Sequence, residues 1–235
     1  MISFVFPAFN EAGNLRRFTS EVIPVFDKLS TPYEILVVDD GSKDATAEIA
    51  RGLGPKVRLL QHGQNQGLGA ALRTGFAAAQ GELVITMDTD LTFAPSLVES
   101  MLTRYQVGDA EVVSGSPKLA GFGKEIPSYR IFISNAATAV YSALLGIHIS
   151  AVSPIFRLYR RADLLALPLS ATGFEINAEI LFGLIKAGKR VVEIPAPLTL
   201  RTEGESKLDY PRELRRHLRL VGRMVKWRVL PGSEG

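Results

Sequence analysis

The sequence predicts an α/β protein, a parallel sheet with helices on both faces in a single domain, and three observations predict it. Apolar runs of four to six residues alternate with segments of helical period through the first half of the 235-residue chain. That is the pattern of strands buried on both faces between crossover helices. No Pro/Gly/Ser-rich linker divides the chain, and 46% of its residues are apolar, enough for one substantial core. The first, second and fourth apolar runs each end in a polar cluster, and an open parallel sheet collects its ligands at the carboxyl ends of its strands.

The elements follow in chain order. Ile2–Phe6 is an apolar run that stops at Pro7 and reads as the first strand, followed by a helix over Gly13–Leu29. Glu34–Asp39, with Ile-Leu-Val-Val at its centre, is the second strand, and a helix over Ala45–Leu53 leads to a third at Val57–Gln61. Gly67–Ala79 has helical period, Leu83–Met87 is the fourth strand, Pro95–Tyr105 the next helix and Glu111–Ser114 the fifth strand. Beyond Ser114 the pattern changes to a loop broken by Gly and Pro, then a long helix over Ser128–Leu145 and an extended piece at Phe156–Tyr159. A helix over Glu175–Ala187 and strands at Val191–Glu193 and Leu198–Arg201 follow.

Composition narrows the chemistry. Cysteine is absent, which removes a disulfide framework, a thiolate metal site and a Cys nucleophile, and fits a reducing compartment. The opening Met-Ile-Ser-Phe-Val-Phe-Pro7 has no basic stretch, so no signal peptide is expected. No apolar run reaches the roughly 18 to 20 residues of a spanning helix; Ala136–Ile149 is too short and carries Ser142 and His148. Formal net charge is +3, but Arg201–Arg228 holds nine Lys/Arg against four Asp/Glu, a local basic block suited to phosphates or an anionic membrane surface. No nucleic-acid partner is expected.

Asp88 and Asp90 close the fourth strand. Residues two apart on an extended chain face the same way, so both carboxylates leave the strand mouth together. They form a seat for a hard divalent cation that keeps its other positions for water and phosphate oxygens. The first strand ends in Pro7-Ala8-Phe9-Asn10-Glu11 and the second in Asp39-Asp40-Gly41-Ser42. Asn10, Asp40 and Ser42 also have a plain reading as helix caps or turn formers, and Asn10 and Ser42 taken alone fit it equally well. Three such ends on one sheet edge point to a site instead.

Other polar residues carry less. His62, His148 and His217 share no ligand spacing and read as structural. Glu175 and Glu179 are an i, i+4 pair, read as a solvated helical face or as a general base. Pro211–Leu230 reads as a basic amphipathic helix that either packs on the domain or lies in a membrane interface, with Trp227 favouring the membrane.

These motifs carry a resemblance. Pro7-x-Phe9-Asn10-Glu11, Val37-Val38-Asp39-Asp40-Gly41-Ser42, Gly67-Leu68-Gly69-Ala70-Ala71 and Met87-Asp88-Thr89-Asp90-Leu91 resemble, in type, order and spacing, the nucleotide-sugar half of family 2 glycosyltransferases of the GT-A fold. Tyr129-Arg130-x-x-x-Ser134, Gly173-Phe174-Glu175 and Arg201-Thr-Glu-Gly204-Glu-Ser-Lys207-Leu resemble the dolichol-phosphate mannose synthase branch.

The resemblance implies a Rossmann-like nucleotide-sugar-binding half over residues 1–115, an acceptor-side half over 116–210 and the basic helix at 211–230. It implies that Phe9 and Asp40 hold the nucleobase by stacking and by accepting its ring N–H groups. Pro7, Glu11 and Val38 would belong to the same pocket, Gly67 and Gly69 would let the backbone approach the nucleotide or cap the following helix, and Asp88 and Asp90 would carry Mg²⁺ or Mn²⁺. Arg130 and Ser134, four apart on one helix, would bind a lipid phosphate, whose oxygen is already ionised and needs no base. The implied reaction is inverting transfer of mannose from GDP-mannose to a polyprenyl or dolichyl phosphate. The implied location is cytoplasmic, peripheral at the inner membrane face, with contact through the basic helix.

The chain departs from the synthase pattern at Thr92, Pro117, Ser150, Pro154 and Glu203. Pro117 and Glu203 stand where the pattern has Arg, and neither supplies a bidentate cation. Two alternatives follow: a UDP- or other nucleotide-sugar donor with a hydroxyl acceptor and Glu175 or Glu179 as base, or a non-catalytic nucleotide-sugar or membrane-surface binding subunit. A dinucleotide dehydrogenase does not fit, because the first turn lacks the Gly-x-Gly-x-x-Gly loop.

Overall fold

The computed structural model describes residues 1–121, 128–199 and 210–229, of which 128–134, 210–211 and 228–229 by their backbone alone. Seven strands form one sheet: β1 (Ile2–Ala8), β2 (Tyr33–Asp39), β3 (Val57–Gln61), β4 (Leu83–Thr86), β5 (Val112–Ser116), β6 (Arg157–Arg160) and β7 (Val191–Pro195). Their order is β3-β2-β1-β4-β6-β5-β7. The expected all-parallel sheet is corrected at one place: β6 runs antiparallel between β4 and β5, pairing Leu83 with Arg160 and Ser114 with Arg157. The extended piece expected near Phe156 is this inserted strand, and its direction depends on tertiary pairing rather than on local pattern.

The helices are α1 (Ala12–Arg16), α2 (Ile23–Phe26), α3 (Thr46–Gly52), α4 (Leu68–Ala78), α5 (Leu97–Gln106), α6 (Pro117–Ala120), α7 (Ser128–Leu145), α8 (Arg161–Leu165), α9 (Ile176–Lys186) and α10 (Tyr210–Val229). The single helix expected over Gly13–Leu29 is instead α1, a π-helical segment at Phe18–Val22 and α2. Pro24 explains the break, because it has no N–H to donate and its ring crowds the carbonyl four residues back. α6 arises inside the expected loop: Ser116 caps it by accepting the Leu119 N–H at 3.3 Å, and Pro117 occupies its first turn. Of the strand expected at Leu198–Arg201, Leu198 forms a bridge with Phe93, and residues 200–209 lie outside the described ones.

Each face of the sheet buries a core. On one, Phe4, Phe6, Phe18, Phe26, Ile35, Met87 and Phe156 pack together, with Phe4 stacked on Phe26 at 3.8 Å between ring centroids. The other is built from Val5, Leu36, Val38, Leu72, Phe76, Tyr159 and Ile180. Each fully buried large side chain stabilises the fold by about 1.5 to 3 kcal/mol. A third cluster joins α7, α9 and α10 through Tyr141, Leu181, Phe182, Leu220 and Met224. Trp227, which argued for a membrane, stacks on Phe182 at 5.3 Å. Thus α10 packs on the domain along one side, and its expected amphipathic pattern is divided between a buried face and a solvent face.

Candidate active site

The carboxyl ends of β1, β2 and β4 are stitched to one another by side chains. Asn10 accepts the Lys43 N–H through Oδ1 at 2.8 Å, while its own N–H donates to Ser42 Oγ at 2.8 Å. Asn10 sits at φ 53°, a left-handed conformation that Asn tolerates better than most residues. So Asn10 and Ser42 join the two loops across the sheet edge, with Lys43 returning a bond to Asn10, rather than capping helices. Thr89 donates to the Pro7 carbonyl at 2.8 Å, which ties β4 to β1. Asp39, fully buried, accepts the Ser42 N–H at 2.9 Å and the Gln61 side chain at 3.2 Å, a turn-forming role.

After Asp90 the chain turns sharply. Asp90 accepts the Thr92 N–H at 3.0 Å, and buried Leu91 takes φ 56°, where a bulky residue is strained by about 1 to 2 kcal/mol. Burial of Leu91 and the bond from Thr199 Oγ1 to its carbonyl at 3.1 Å hold the turn. β4 ends at Thr86, so Asp88 and Asp90 lie in this turn, where the Leu91 N–H donates to the Asp88 carbonyl at 3.2 Å, rather than two apart on an extended strand.

A cavity of about 510 Å³ opens at this edge, lined by Pro7, Phe9, Glu11, Asp40, Gly67, Asp88, Thr89 and Asp90 from the strand ends and the glycine loop. Its far wall consists of Gly173, Phe174 and, from α10, Arg212, Glu213 and Arg216. Phe9 also borders a second cavity of about 660 Å³ with Ser42, Lys43, His62, Gln64 and Asn65. The structure therefore brings Pro7, Phe9, Glu11, Asp40, Gly67, Asp88 and Asp90 together, but not Val38 or Gly69. Val38 is fully buried in the second core beside Pro7, its partner in the β1–β2 register, and does not line the cavity. Arg130 and Ser134 both belong to α7, but their side chains lie outside the described residues, as does the Arg201–Lys207 loop.

Asp40 is buried and holds the loop between β3 and α4. Its carboxylate accepts the N–H groups of Gln66 at 2.9 Å and Gly67 at 2.7 Å, and meets His62 Nδ1 at 2.7 Å. The other ring nitrogen of His62 bonds Thr74 at 2.9 Å. Gly67 adopts φ 95°, and a Cβ there would stand 2.2 Å from the Thr172 carbonyl oxygen, so no other residue fits.

Glu175 and Glu179 are buried, which corrects the solvated-face reading. Glu179 accepts the N–H groups of Ser170 at 3.0 Å and Ala171 at 2.8 Å and pairs with Arg223 at 2.9 Å. Glu175 accepts from Thr172 and Gly173 through Oε1, whereas Oε2 is buried without a hydrogen bond. Both carboxylates order the loop that meets α4, and neither lines the cavity.

Five carboxylates and two guanidinium groups line this cavity, an excess of negative charge that favours a cation. Among the described residues no cluster of three or more His, Cys, Asp or Glu could hold a metal by itself. Two carboxylates from one strand end fit an ion that draws its remaining oxygens from water and a phosphorylated ligand, the habit of Mg²⁺ and Mn²⁺. The wall from α10 and the His62 contact were not legible in the sequence. Basic residues at helical spacing gave no sign of which surface they face.

Residues 3–167, well over half the chain, match the profile of glycosyl transferase family 2. The chain belongs to that family. It is 31% identical over 232 residues to a dolichol-phosphate mannosyltransferase of Pyrococcus furiosus, covering 96% of this chain and 64% of that one. A dolichol-phosphate mannosyltransferase of Mycosarcoma maydis is 32% identical over 220 residues, covering 88% and 73% of the two chains. An undecaprenyl-phosphate 4-deoxy-4-formamido-L-arabinose transferase of Aeromonas hydrophila is 29% identical, with 62% of its length covered. The family 2 chain thus spans roughly two thirds of the length of these relatives. Among solved structures, glucosyl-3-phosphoglycerate synthase from Mycobacterium tuberculosis, in complex with Mn²⁺ and UDP, superposes with a TM-score of 0.73 at 21% identity, covering 97% of this chain and 79% of that one. This likeness shows the GT-A fold.

Proposed function

We propose that the chain is a metal-dependent inverting glycosyltransferase that moves a sugar from a nucleoside diphosphate donor, GDP-mannose first among them, to a polyprenyl phosphate. The observation that carries this reading is the convergence of Phe9, Asp40, Asp88 and Asp90 on one cavity in a family 2 chain. The names of its curated relatives support a polyprenyl phosphate acceptor.

Phe9 stacks on the nucleobase, while Asp40, expected to accept the base's ring N–H groups, already accepts from Gln66 and Gly67 and meets His62, and so acts by holding the loop before α4. Asp88 and Asp90 would hold Mg²⁺ or Mn²⁺, which would supply charge neutralisation for the donor's diphosphate. Arg130 and Ser134 bind the lipid phosphate. An oxygen of that phosphate attacks the anomeric carbon from the face opposite the diphosphate; the new C–O bond forms as the old one breaks, and the electron pair leaves with the nucleoside diphosphate. No proton is removed from the nucleophile, so no general base is needed. The commitment of Glu175 and Glu179 to backbone N–H groups favours this over a hydroxyl acceptor.

The basic helix supports peripheral contact with the inner face of a membrane. Leu214, Leu218 and Val225 are exposed on α10 beside exposed Arg215, Arg219 and Lys226. No helix among the described residues is long and apolar enough to cross a membrane.

The test is thermal stabilisation by GDP-, UDP-, ADP- and dTDP-sugars with Mn²⁺ or with EDTA, beside turnover on a polyprenyl phosphate. The expected result is one metal-dependent shift in the wild type, absent in Asp88→Ala together with turnover. Full turnover by Asp88→Ala would overturn the mechanism, and binding without any transfer would assign the chain to a binding role.

A further inference from the structure

Beyond the strand ends, α10 supplies part of the cavity wall, beside the glycine loop and Gly173–Phe174. Arg212 and Arg216 lie four apart on α10, hence on one side of it, and both border the cavity that holds Asp88 and Asp90. Among the described residues they are its only lining cations, set against five carboxylates. A diphosphate entering this cavity meets repulsion from all of those carboxylates, and a metal held between Asp88 and Asp90 reaches only the part of the ligand beside it.

The position of Arg216 is specific. A Cβ built on Gly173 would stand 2.3 Å from Nη1, and one built on Gly67 would stand 3.9 Å from Nη2. The guanidinium therefore lies across two glycines, between the loop that opens α4 and the loop that opens α9. Nη1 donates to Glu213, which also accepts the Phe174 N–H at 3.0 Å. Nη2 makes no hydrogen bond among the described residues, although the side chain is only 15% exposed. A planar fork with five N–H donors that spends one on a neighbouring carboxylate keeps a second edge for a phosphate. Leu220 and Met224, fully buried, and Trp227 anchor the helix that presents it.

We propose that Arg212 and Arg216 grip the diphosphate of the nucleotide donor, with Glu213 orienting Arg216, so that α10 is a wall of the donor site. This rests on the nucleotide-sugar reading above. It makes the helix that carries the exposed apolar stripe the same one that completes the donor pocket.

The experiment compares calorimetric affinities for GDP and guanosine, and for UDP and uridine, in the full chain and in Arg216→Gln, Arg212→Gln and Glu213→Gln. Arg216→Gln is expected to weaken the preferred nucleoside diphosphate about tenfold or more while leaving its nucleoside within about twofold, because a charge-assisted contact is lost only by the phosphates. Arg212→Gln removes an exposed side chain and keeps α10 packed, so it is expected to show the same selective loss even if Arg216→Gln unfolds the helix. Glu213→Gln is expected to weaken the diphosphate selectively as well, by less than Arg216→Gln, because a neutral amide holds the guanidinium less firmly; unchanged diphosphate affinity would remove Glu213 from the inference. Equal losses for nucleoside and diphosphate, or none in either arginine variant, would overturn the inference and leave the donor reading intact. A wild-type chain that binds no nucleotide would overturn both.

Discussion

Asp40 and His62 form a buried pair, Oδ1 to Nδ1 at 2.7 Å, at the junction of β2, β3 and α4. The same carboxylate takes the N–H groups of Gln66 and Gly67, so one side chain fixes the whole turn before α4. Asp40→Asn replaces an acceptor-only group with one that presents an NH₂ to those donors. It is expected to cost about 1 to 3 kcal/mol through unsatisfied buried N–H groups. His62→Ala leaves both backbone donors satisfied and is expected to cost less. Urea unfolding of the two variants checks the order, and the reverse order would show that His62, not Asp40, organises the loop.

Gly69 and Gly52 make a matched pair. A Cβ on Gly69 would stand 2.1 Å from the Ala171 carbonyl oxygen, which also lies in the loop held by Glu179, whereas a Cβ on Gly52 meets nothing within 4 Å. Gly69→Ala must push backbone apart and is expected to destabilise by about 1 to 3 kcal/mol. Gly52→Ala, in the last position of α3, is expected to be neutral or to gain about 0.5 to 1 kcal/mol. Thermal unfolding distinguishes them, and a neutral Gly69→Ala would mean that the contact between α4 and the Thr172 loop is not tightly packed.

That glycine contact also marks how far the sequence could be read. The β1, β2 and β4 strands were legible because each is a short apolar run ending in polar residues, and the resulting edge carries Phe9, Asp40, Asp88 and Asp90. The direction of β6 was not, since Arg157–Arg160 carries no local sign of its neighbours and is set by pairing to Thr86 and Ser114. Pro24 was visible, but its effect, a π-helical segment rather than a stop, depends on Phe18 and Phe26 both reaching the same core. His62 looked inert because its partner is 22 residues away in sequence. Glu175 and Glu179 looked solvated because helical spacing does not reveal which loops fold over a helix. Arg212 and Arg216 were hidden for the same reason, among basic residues that face three different surroundings.

Acid should loosen α10. His217 is hydrogen-bonded to the Tyr141 hydroxyl at 2.6 Å, and burial holds its ring below the ordinary value of 6.5, against the opposing pull of Glu175 and Glu213. Between the depressed folded value and 6.5 the unfolded chain carries more protons than the folded one. Stability is therefore complete above the unfolded value and falls as pH drops towards the folded one, by at most about 1.4 kcal/mol per pH unit. Wild type and His217→Gln unfolded over a pH series check this. The wild type is expected to lose the extra stability below pH 6.5, the unfolded reference, and parallel curves would show that His217 does not titrate with folding.

The solvent face of α10 carries the remaining prediction. Leu214 and Leu218 are each 61% exposed and Val225 is 44% exposed, so their substitution leaves the core untouched. Leu214→Gln/Leu218→Gln is expected to change stability by no more than about 0.5 kcal/mol but to abolish sedimentation with vesicles rich in anionic phospholipid, because apolar area supplies the insertion. Arg215→Gln/Arg219→Gln is expected to weaken binding by about 1 kcal/mol per charge and only on anionic vesicles, with added salt erasing the difference. The two variants separate the apolar from the electrostatic part of the contact. Their buried neighbours Leu220 and Met224 fix the helix to the domain, so lipid contact requires no undocking of α10, and vesicles should bind without lowering nucleotide affinity. Vesicles that compete with nucleotide would instead mean that α10 leaves the domain to reach the membrane.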